Sequence, residues 1–218
     1  DALEAVDLGT GRTAVAISGG DNFTCAILDG GDVKCWGDGD DGELGNEDTH
    51  SQGNDDGEMG DDLPVINLGT GRTAVAITTG DDFACAILDV GDVKCWGRNG
   101  DGELGYGHTD AIGGESDEMG DYLQTVDLTD LGGTRQAVAI AATNSHVCVL
   151  LAGGDVKCWG DNGDGQLGYG HTRNLGNNPG EMGSHLQLVD LGSVPQGWAV
   201  NLAPGDYTVR MRLADAGG

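Results

Sequence analysis

The stretch CAILDGGDVKCWG, residues 25–37, places two cysteines on either side of a turn that contains two glycines. The stretch returns as CAILDVGDVKCWG at residues 85–97 and as CVLLAGGDVKCWG at residues 148–160. Two short apolar segments separated by a glycine-containing loop are typical of a β-hairpin. The chain therefore repeats one cysteine-bracketed hairpin three times.

The register of this hairpin follows if Cys25 faces Cys35. The remaining pairs are then Ala26 with Lys34, Ile27 with Val33, and Leu28 with Asp32. A three-residue loop is left, and such loops commonly end in a residue in the left-handed conformation, which favours glycine. The third loop residue is Gly31, Gly91 or Gly154 in the three copies, so the sequence agrees with this register.

The hairpin register predicts three local disulfide bonds. Residues that face each other across antiparallel strands lie about 4.5–5.5 Å apart at Cα, which is a distance that a disulfide tolerates. The predicted bonds are Cys25–Cys35, Cys85–Cys95 and Cys148–Cys158. Buried free thiols are one alternative, and a zinc site is another, although paired CxxC motifs and clustered histidines are absent. The pairing uses all six cysteines, which favours disulfides.

Composition restricts the compartment and the class of partner. The 218 residues include 37 acidic and 10 basic side chains, which gives a net charge of −27. This charge argues against binding to nucleic acid or to anionic membranes, since both recruit basic side chains. The apolar runs are too short for membrane insertion, and the chain opens at DALEAVDLG without a cleavable signal segment. Three disulfides predict an extracellular (secreted) protein or another oxidising lumen.

The whole chain follows the same period as the hairpins. The tryptophans at 36, 96 and 159 are 60 and 63 residues apart. One unit contains a strand around VDL, the strand AVAI, the two hairpin strands, a glycine- and aspartate-rich loop and an acidic connector. Four short strands without helical periodicity are typical of a β-propeller blade. We therefore predict an all-β fold whose blades have four antiparallel strands. The predicted repeats are residues 1–63, 64–123 and 124–192, followed by a partial, degenerate fourth repeat at 193–218.

The hairpin and the loop after it resemble the regulator of chromosome condensation repeat. The match is best in GGDVKCWGDNGDGQLGYGHT, residues 153–172, and the resemblance extends over essentially all of the chain. It implies a seven-bladed β-propeller, of which about three and a half blades are present. Members include a nucleotide exchange factor, a plant photoreceptor, ubiquitin-ligase modules and a secreted β-lactamase inhibitor. This chain lacks the basic surface of the exchange factor and the clustered tryptophans of the photoreceptor. Its acidic charge and predicted disulfides therefore resemble the extracellular binding propellers most.

The loop after the first tryptophan, GDGDDGELG at 37–45, is a candidate calcium site. Its carboxylates resemble the start of an EF-hand loop. The candidate ligands are Asp38, Asp40, Asp41 and Glu43. The pattern is incomplete, because no glutamate occupies the twelfth position and Arg98 replaces the counterpart of Asp38 in the second repeat. A plain turn is the alternative.

The acidic connectors, such as NEDTHSQGNDDGEMGDD at residues 46–62 of the first repeat, are the candidate partner-binding loops. The residues proposed for contact are Glu58, Asp61, Glu118, Asp121 and Glu181. Solvated loops without a partner are the alternative. The methionines of the connectors are expected to fill the blade edges, and the histidines of the two LGYGHT segments to lie in hydrogen-bonded turns. The predicted positions are Met59, Met119, Met182, His108 and His171.

The sequence presents no nucleophile–base pair, phosphate loop or metal triad that would indicate catalysis. We therefore expect a non-enzymatic protein-binding or scaffold module that binds through propeller-face loops. The alternative is a structural subunit permanently packed in a larger assembly. No cofactor is expected apart from Ca²⁺ at the first loop. Three and a half blades would have two open edges, so the remaining blades should come from the same longer chain or from a second copy.

Overall fold

The computed structural model describes residues 4–130, 132–133 and 135–192, and this part of the chain is an all-β protein. Nine strands form three antiparallel sheets, one for each repeat. The strands are β1 (Ala14–Gly19), β2 (Phe23–Leu28), β3 (Val33–Gly37), β4 (Ala74–Thr79), β5 (Phe83–Leu88), β6 (Val93–Gly97), β7 (Ala137–Ala142), β8 (His146–Leu151) and β9 (Val156–Gly160). A single 3₁₀ turn at Gly183–His185 is the one helical element among the described residues. None of the described helical structure has the length and apolarity needed to cross a membrane.

The predicted hairpin register is confirmed in all three copies. Cys25 pairs with Cys35 across β2 and β3, and the other two cysteine pairs face each other in the same way. The three disulfides are formed, with Cα–Cα distances of 4.1, 4.0 and 4.1 Å. The described residues include all six cysteines and none of them is free, so the free-thiol and zinc interpretations are wrong. Gly31 has a φ of 82°, the left-handed conformation that the three-residue loop requires.

The fourth strand predicted around VDL is not formed in the described part of the chain. Each of the three sheets has three strands. Residues 64–68 lie beside β3 but make only one backbone hydrogen bond to it, from Ile66 N to Val33 O at 2.8 Å. The carbonyl of Leu68 accepts a hydrogen bond from Lys94 Nζ at 3.0 Å, and Lys94 lies in the second repeat with the segment itself, whereas Val33 lies in the first. The segment divides its polar groups between two repeats, and it therefore cannot form a regular ladder with either.

The three sheets pack side by side as consecutive propeller blades. β4 contacts both β1 and β2 of the first sheet, and β7 contacts β4 and β5. The contacts include polar pairs, such as Ser18 Oγ to Thr79 Oγ1 at 2.9 Å. Two apolar clusters fill the spaces between neighbouring blades. The described residues therefore form a partial propeller, in which Trp96 and Trp159 are fully buried and Trp36 is partly exposed.

The predicted partial fourth repeat, residues 193–218, lies outside the described residues.

Candidate functional site

The loops after Trp36 and Trp96 each form a contact with the next blade. The carbonyl of Glu43 accepts a hydrogen bond from Trp96 Nε1 at 3.0 Å. At the next contact, the carbonyl of Glu103 accepts one from Trp159 Nε1 at 2.8 Å. Gly45 has a φ of 63°, and a Cβ atom there would lie 2.6 Å from Trp96 Nε1. The loop therefore needs glycine at this position, both for its conformation and for the close approach of the indole.

The four candidate calcium ligands lie in the first of these loops, and their side chains have different environments. Asp38 Oδ1 accepts a hydrogen bond from Gly39 N at 2.9 Å, whereas Asp40 and Asp41 are exposed. The Glu43 side chain is buried, and its Oε2 accepts a hydrogen bond from Asp41 N at 2.9 Å. Among the described residues, no three His, Cys, Asp or Glu side chains are grouped so that they could hold a metal ion. Calcium binding by this loop stays a prediction.

Glu43 and its counterpart Glu103 are carboxylic acids buried at the blade contacts, a role that was not predicted from the sequence. Burial raises the pKa of Glu43 to about 7, and burial also raises the pKa of Glu103. Glu103 Oε1 is buried and has no hydrogen-bond partner within the described part of the chain. The third repeat has Gln166 at this position. A neutral residue in one of three copies is the signal that could have indicated a buried site.

The glutamates of the three connectors fold the connectors on themselves. Glu58 Oε2 accepts hydrogen bonds from the backbone N–H groups of residues 53, 54 and 55, at 2.8–3.1 Å. Glu118 and Glu181 each accept hydrogen bonds from two backbone N–H groups at equivalent positions. One carboxylate thus satisfies several donors, and such charge-assisted bonds are stronger than neutral ones. The connectors are consequently ordered by this chain's own side chains.

The two candidate aspartates tie the first connector to the segment before β1 and the second connector to the segment before β4. Asp61 accepts hydrogen bonds from both the backbone N and the Oγ1 of Thr10, at 2.8 and 2.7 Å. Asp121 accepts the same pair from Thr70, at 2.7 and 2.6 Å. These hydrogen bonds lower the pKa of both aspartates. All five residues predicted for partner contact therefore have internal structural bonds, and their contact with a partner stays a prediction.

A buried lysine in each VKCWG strand completes this framework, and its role was not predicted from the sequence either. Lys94 Nζ donates to the carbonyl oxygens of Leu68 and Gly120, at 3.0 and 2.6 Å. Lys34 and Lys157 make the equivalent bonds in their repeats. Burial lowers the pKa of Lys94 and Lys157. The occurrence of lysine beside the disulfide cysteine in all three copies was the available signal.

The histidines and two of the three methionines have the roles that were predicted for them, whereas Met59 is only partly buried and belongs to neither apolar cluster. Asp110 N donates to His108 Nδ1 at 3.2 Å, and Arg173 N donates to His171 Nδ1 at 3.3 Å, so both rings close turns. Met119 is buried in the apolar cluster that contains Trp96. Met182 packs in the equivalent cluster around Trp159.

Comparison with known proteins identifies the same family of repeat that the sequence resembles. Residues 14–43, 74–103 and 137–166 match the regulator of chromosome condensation (RCC1) repeat. The chain is 33% identical over 159 residues to the E3 ubiquitin-protein ligase HERC2 of Homo sapiens, which covers 72% of this chain and 3% of HERC2. It is 32% identical over 162 residues to the ultraviolet-B receptor UVR8 of Arabidopsis thaliana, which covers 74% of this chain and 32% of UVR8.

Among solved structures, Prp20p from Saccharomyces cerevisiae is similar in fold. The TM-score is 0.52 at 19% sequence identity, and the match covers 85% of this chain and 38% of Prp20p. Yeast RCC1 (Prp20) in complex with Kap60 gives a TM-score of 0.51 at 18% identity, over 81% of this chain and 37% of that chain. The chain thus spans well under half of the length of these relatives.

Proposed function

Because the chain carries three repeats of the regulator of chromosome condensation (RCC1) family, we propose that it is a non-enzymatic protein-binding module whose connector loops form the contact surface. The observation that supports this proposal most directly is the internal bonding of the connectors. Each connector is ordered by its own glutamate before any partner arrives. A surface that is ordered in advance loses little conformational entropy on binding, which favours affinity.

The similar structures support binding as the general role of the fold. Prp20p binds Gsp1p and histones, and yeast RCC1 has been solved in complex with Kap60. These partners belong to those proteins. For this acidic chain, with its net charge of −27, a partner with a basic surface is the better electrostatic match.

The proposal includes an oxidising compartment, either extracellular or lumenal. All six cysteines are in disulfides, and disulfides of this kind persist in oxidising surroundings. It also includes further propeller blades, provided by the same longer chain or by a second copy.

The alternative is a structural subunit packed permanently in a larger assembly. Affinity capture from the native source, with stepwise elution by salt, distinguishes the two. A binding module should release discrete partners as the salt concentration rises, because their contacts with an acidic surface are screened. A complex that withstands high salt would support the structural subunit instead.

A variant tests whether the connectors are the contact surface. Glu118→Ala removes the carboxylate that orders the second connector, and Glu4→Ala removes an exposed carboxylate outside the connectors as a matched control. Capture should weaken in the first variant, or in its counterparts Glu58→Ala and Glu181→Ala, and should be unchanged in the control. Full capture by all three connector variants would place the contact surface elsewhere.

A further inference from the structure

A cavity of about 310 Å³ opens beside the second connector and combines aromatic rings with carboxylates. Its lining includes Tyr106, His108, Ile112, Asp117, Glu118 and Tyr122. The rings of Tyr106 and His108 are stacked, with centroids 6.1 Å apart. The Tyr106 hydroxyl is anchored in the fold, because it donates to Cys95 O and accepts from Cys95 N, both at 3.0 Å. One wall of the cavity is therefore rigid.

Two residues of this cavity are not required by the repeat fold. Tyr122 is 70% exposed, and its counterparts are Asp62 in the first repeat and His185 in the third. The fold is served by the next residue, Leu123, which is buried as its counterparts are. Tyrosine is enriched at protein interfaces because it combines an apolar ring with a polar hydroxyl, and at this cavity it lies beside two carboxylates.

Asp117 carries a conformational cost that its counterparts avoid. It has a φ of 66°, whereas Gly57 and Gly180 occupy the same position in the other repeats with φ values of 87° and 80°. A non-glycine residue in the left-handed region is destabilising, although aspartate tolerates it better than most residues. Strained positions of this kind concentrate at functional sites. The second repeat thus places a carboxylate at the cavity where glycine would fit the backbone better.

The chemistry of the cavity matches a cationic side chain. The faces of tyrosine rings attract a guanidinium or ammonium group, and the Asp117 carboxylate can pair with it. Glu118 adds negative charge whose position is fixed, because its Oε2 accepts hydrogen bonds from Gly113 N and Glu115 N at 2.7 and 3.0 Å. The long methylene stem of arginine or lysine suits the apolar side chain of Ile112.

We propose that this cavity binds an arginine or lysine side chain from an exposed basic segment of a partner protein. This inference rests on the proposed protein-binding function and specifies the second connector as a contact. Repeats one and three serve as natural controls, since each has glycine in place of Asp117 and a residue other than tyrosine in place of Tyr122.

Titration calorimetry with the disulfide-bonded protein in about 0.15 M salt tests the proposal. The probe is an acetylated and amidated peptide of alternating glycine and arginine, and the control peptide has the uncharged isostere citrulline in place of arginine. Asp117→Gly installs the residue of the other two repeats at a position that suits it, and Tyr122→Ser removes the ring without adding charge. Asp56→Gly removes one exposed carboxylate from the first connector and is the control for charge.

Binding of the arginine peptide should weaken about fivefold or more in Asp117→Gly and in Tyr122→Ser, and less than about twofold in Asp56→Gly. Equal binding of the citrulline peptide, equal weakening in all three variants, or no binding to the parent protein would overturn the proposal. Capture from the native source separates the two levels of inference. If Asp117→Gly captures the same partners as the parent, the cavity is not the contact but the protein-binding function stands; if the parent captures none, the function itself fails.

Discussion

At the scale of single residues, the blade contacts contain carboxylic acids where a packed interior would favour neutral groups. Glu43 and Glu103 are buried, and the carbonyl of each accepts the indole hydrogen bond of the next blade. Taking a carboxylate out of water disfavours its charged form, which explains the raised pKa of both. Gln166 holds the same position in the third repeat with a neutral amide. The stability of the first two contacts should therefore depend on pH.

We expect Glu43→Gln to stabilise the protein above neutral pH and to reduce this dependence. The folded protein binds the Glu43 proton up to about pH 7, whereas the unfolded chain releases it near the ordinary glutamate pKa of 4.5. Stability from this group is therefore complete at low pH and decreases as pH rises between the two values. The gain at pH 8 should be on the order of 2 kcal/mol. Denaturant unfolding at pH 5 and pH 8 measures it, and a variant that is equally destabilised at both pH values would contradict the buried acid.

At the scale of the hairpin, the sequence contains every determinant of the structure. The ten-residue cysteine spacing, the left-handed glycine and the facing pairs all lie within 13 consecutive residues, so the register and the disulfides could be predicted correctly from local sequence. The prediction of a fourth strand was wrong because its determinants are not local. Residues 64–68 bond to groups of two repeats, and such a division cannot be deduced from the segment itself. The burial of Glu43 is likewise set by the next repeat, whose Trp96 bonds to its carbonyl. Lys94 bonds to the carbonyl groups of Leu68 and Gly120, which lie in its own repeat but 26 positions away on either side.

The native protein should show no free thiol when it is denatured without reductant. Each disulfide closes a short loop, so the double variant Cys85→Ser/Cys95→Ser should lose roughly 2–3 kcal/mol of stability. Thiol titration, peptide mapping and denaturant unfolding measure these outcomes. Six titratable thiols in protein from the native source would contradict both the bonds and the oxidising compartment.

The first post-tryptophan loop provides a test of the calcium hypothesis. Asp40 and Asp41 are its exposed carboxylates, and Glu43 is turned into the blade contact. If the loop binds Ca²⁺, millimolar Ca²⁺ should raise the melting temperature of the parent protein, and Asp40→Asn/Asp41→Asn should lose that increase. Mg²⁺ at the same concentration is the control for general screening. A melting temperature that Ca²⁺ leaves unchanged would show that this loop is a turn and an interface element only.

At the scale of the whole molecule, the two internal blade contacts show which structure would cover the open edge at the first blade. In both, the loop of one repeat covers the tryptophan of the next. Trp96 is fully buried because the loop of the preceding repeat covers its indole through Glu43 and Gly45. Trp159 is covered in the same way by the next loop. Trp36 is the counterpart in the first repeat, and it is partly exposed because no described loop covers it. Ile17 of β1 is 70% exposed, whereas its counterpart Ile77 packs against the apolar cluster that contains Trp96.

An edge with a partly exposed indole and an exposed isoleucine on its strand favours association with another blade. We therefore expect the 218-residue protein either to self-associate head to tail, with a post-tryptophan loop of one copy on Trp36 of the next, or to be less stable than a longer chain that supplies the missing blade. Trp36→Asp should abolish the self-association, because it would place a charge under the incoming loop, whereas Tyr122→Ser, which lies away from this edge, should not. Sedimentation velocity over a range of protein concentrations measures the first outcome, and thermal unfolding against the longer chain measures the second. A monomer at every concentration, unfolding cooperatively and as stably as the longer chain, would show that the open edge needs no neighbour.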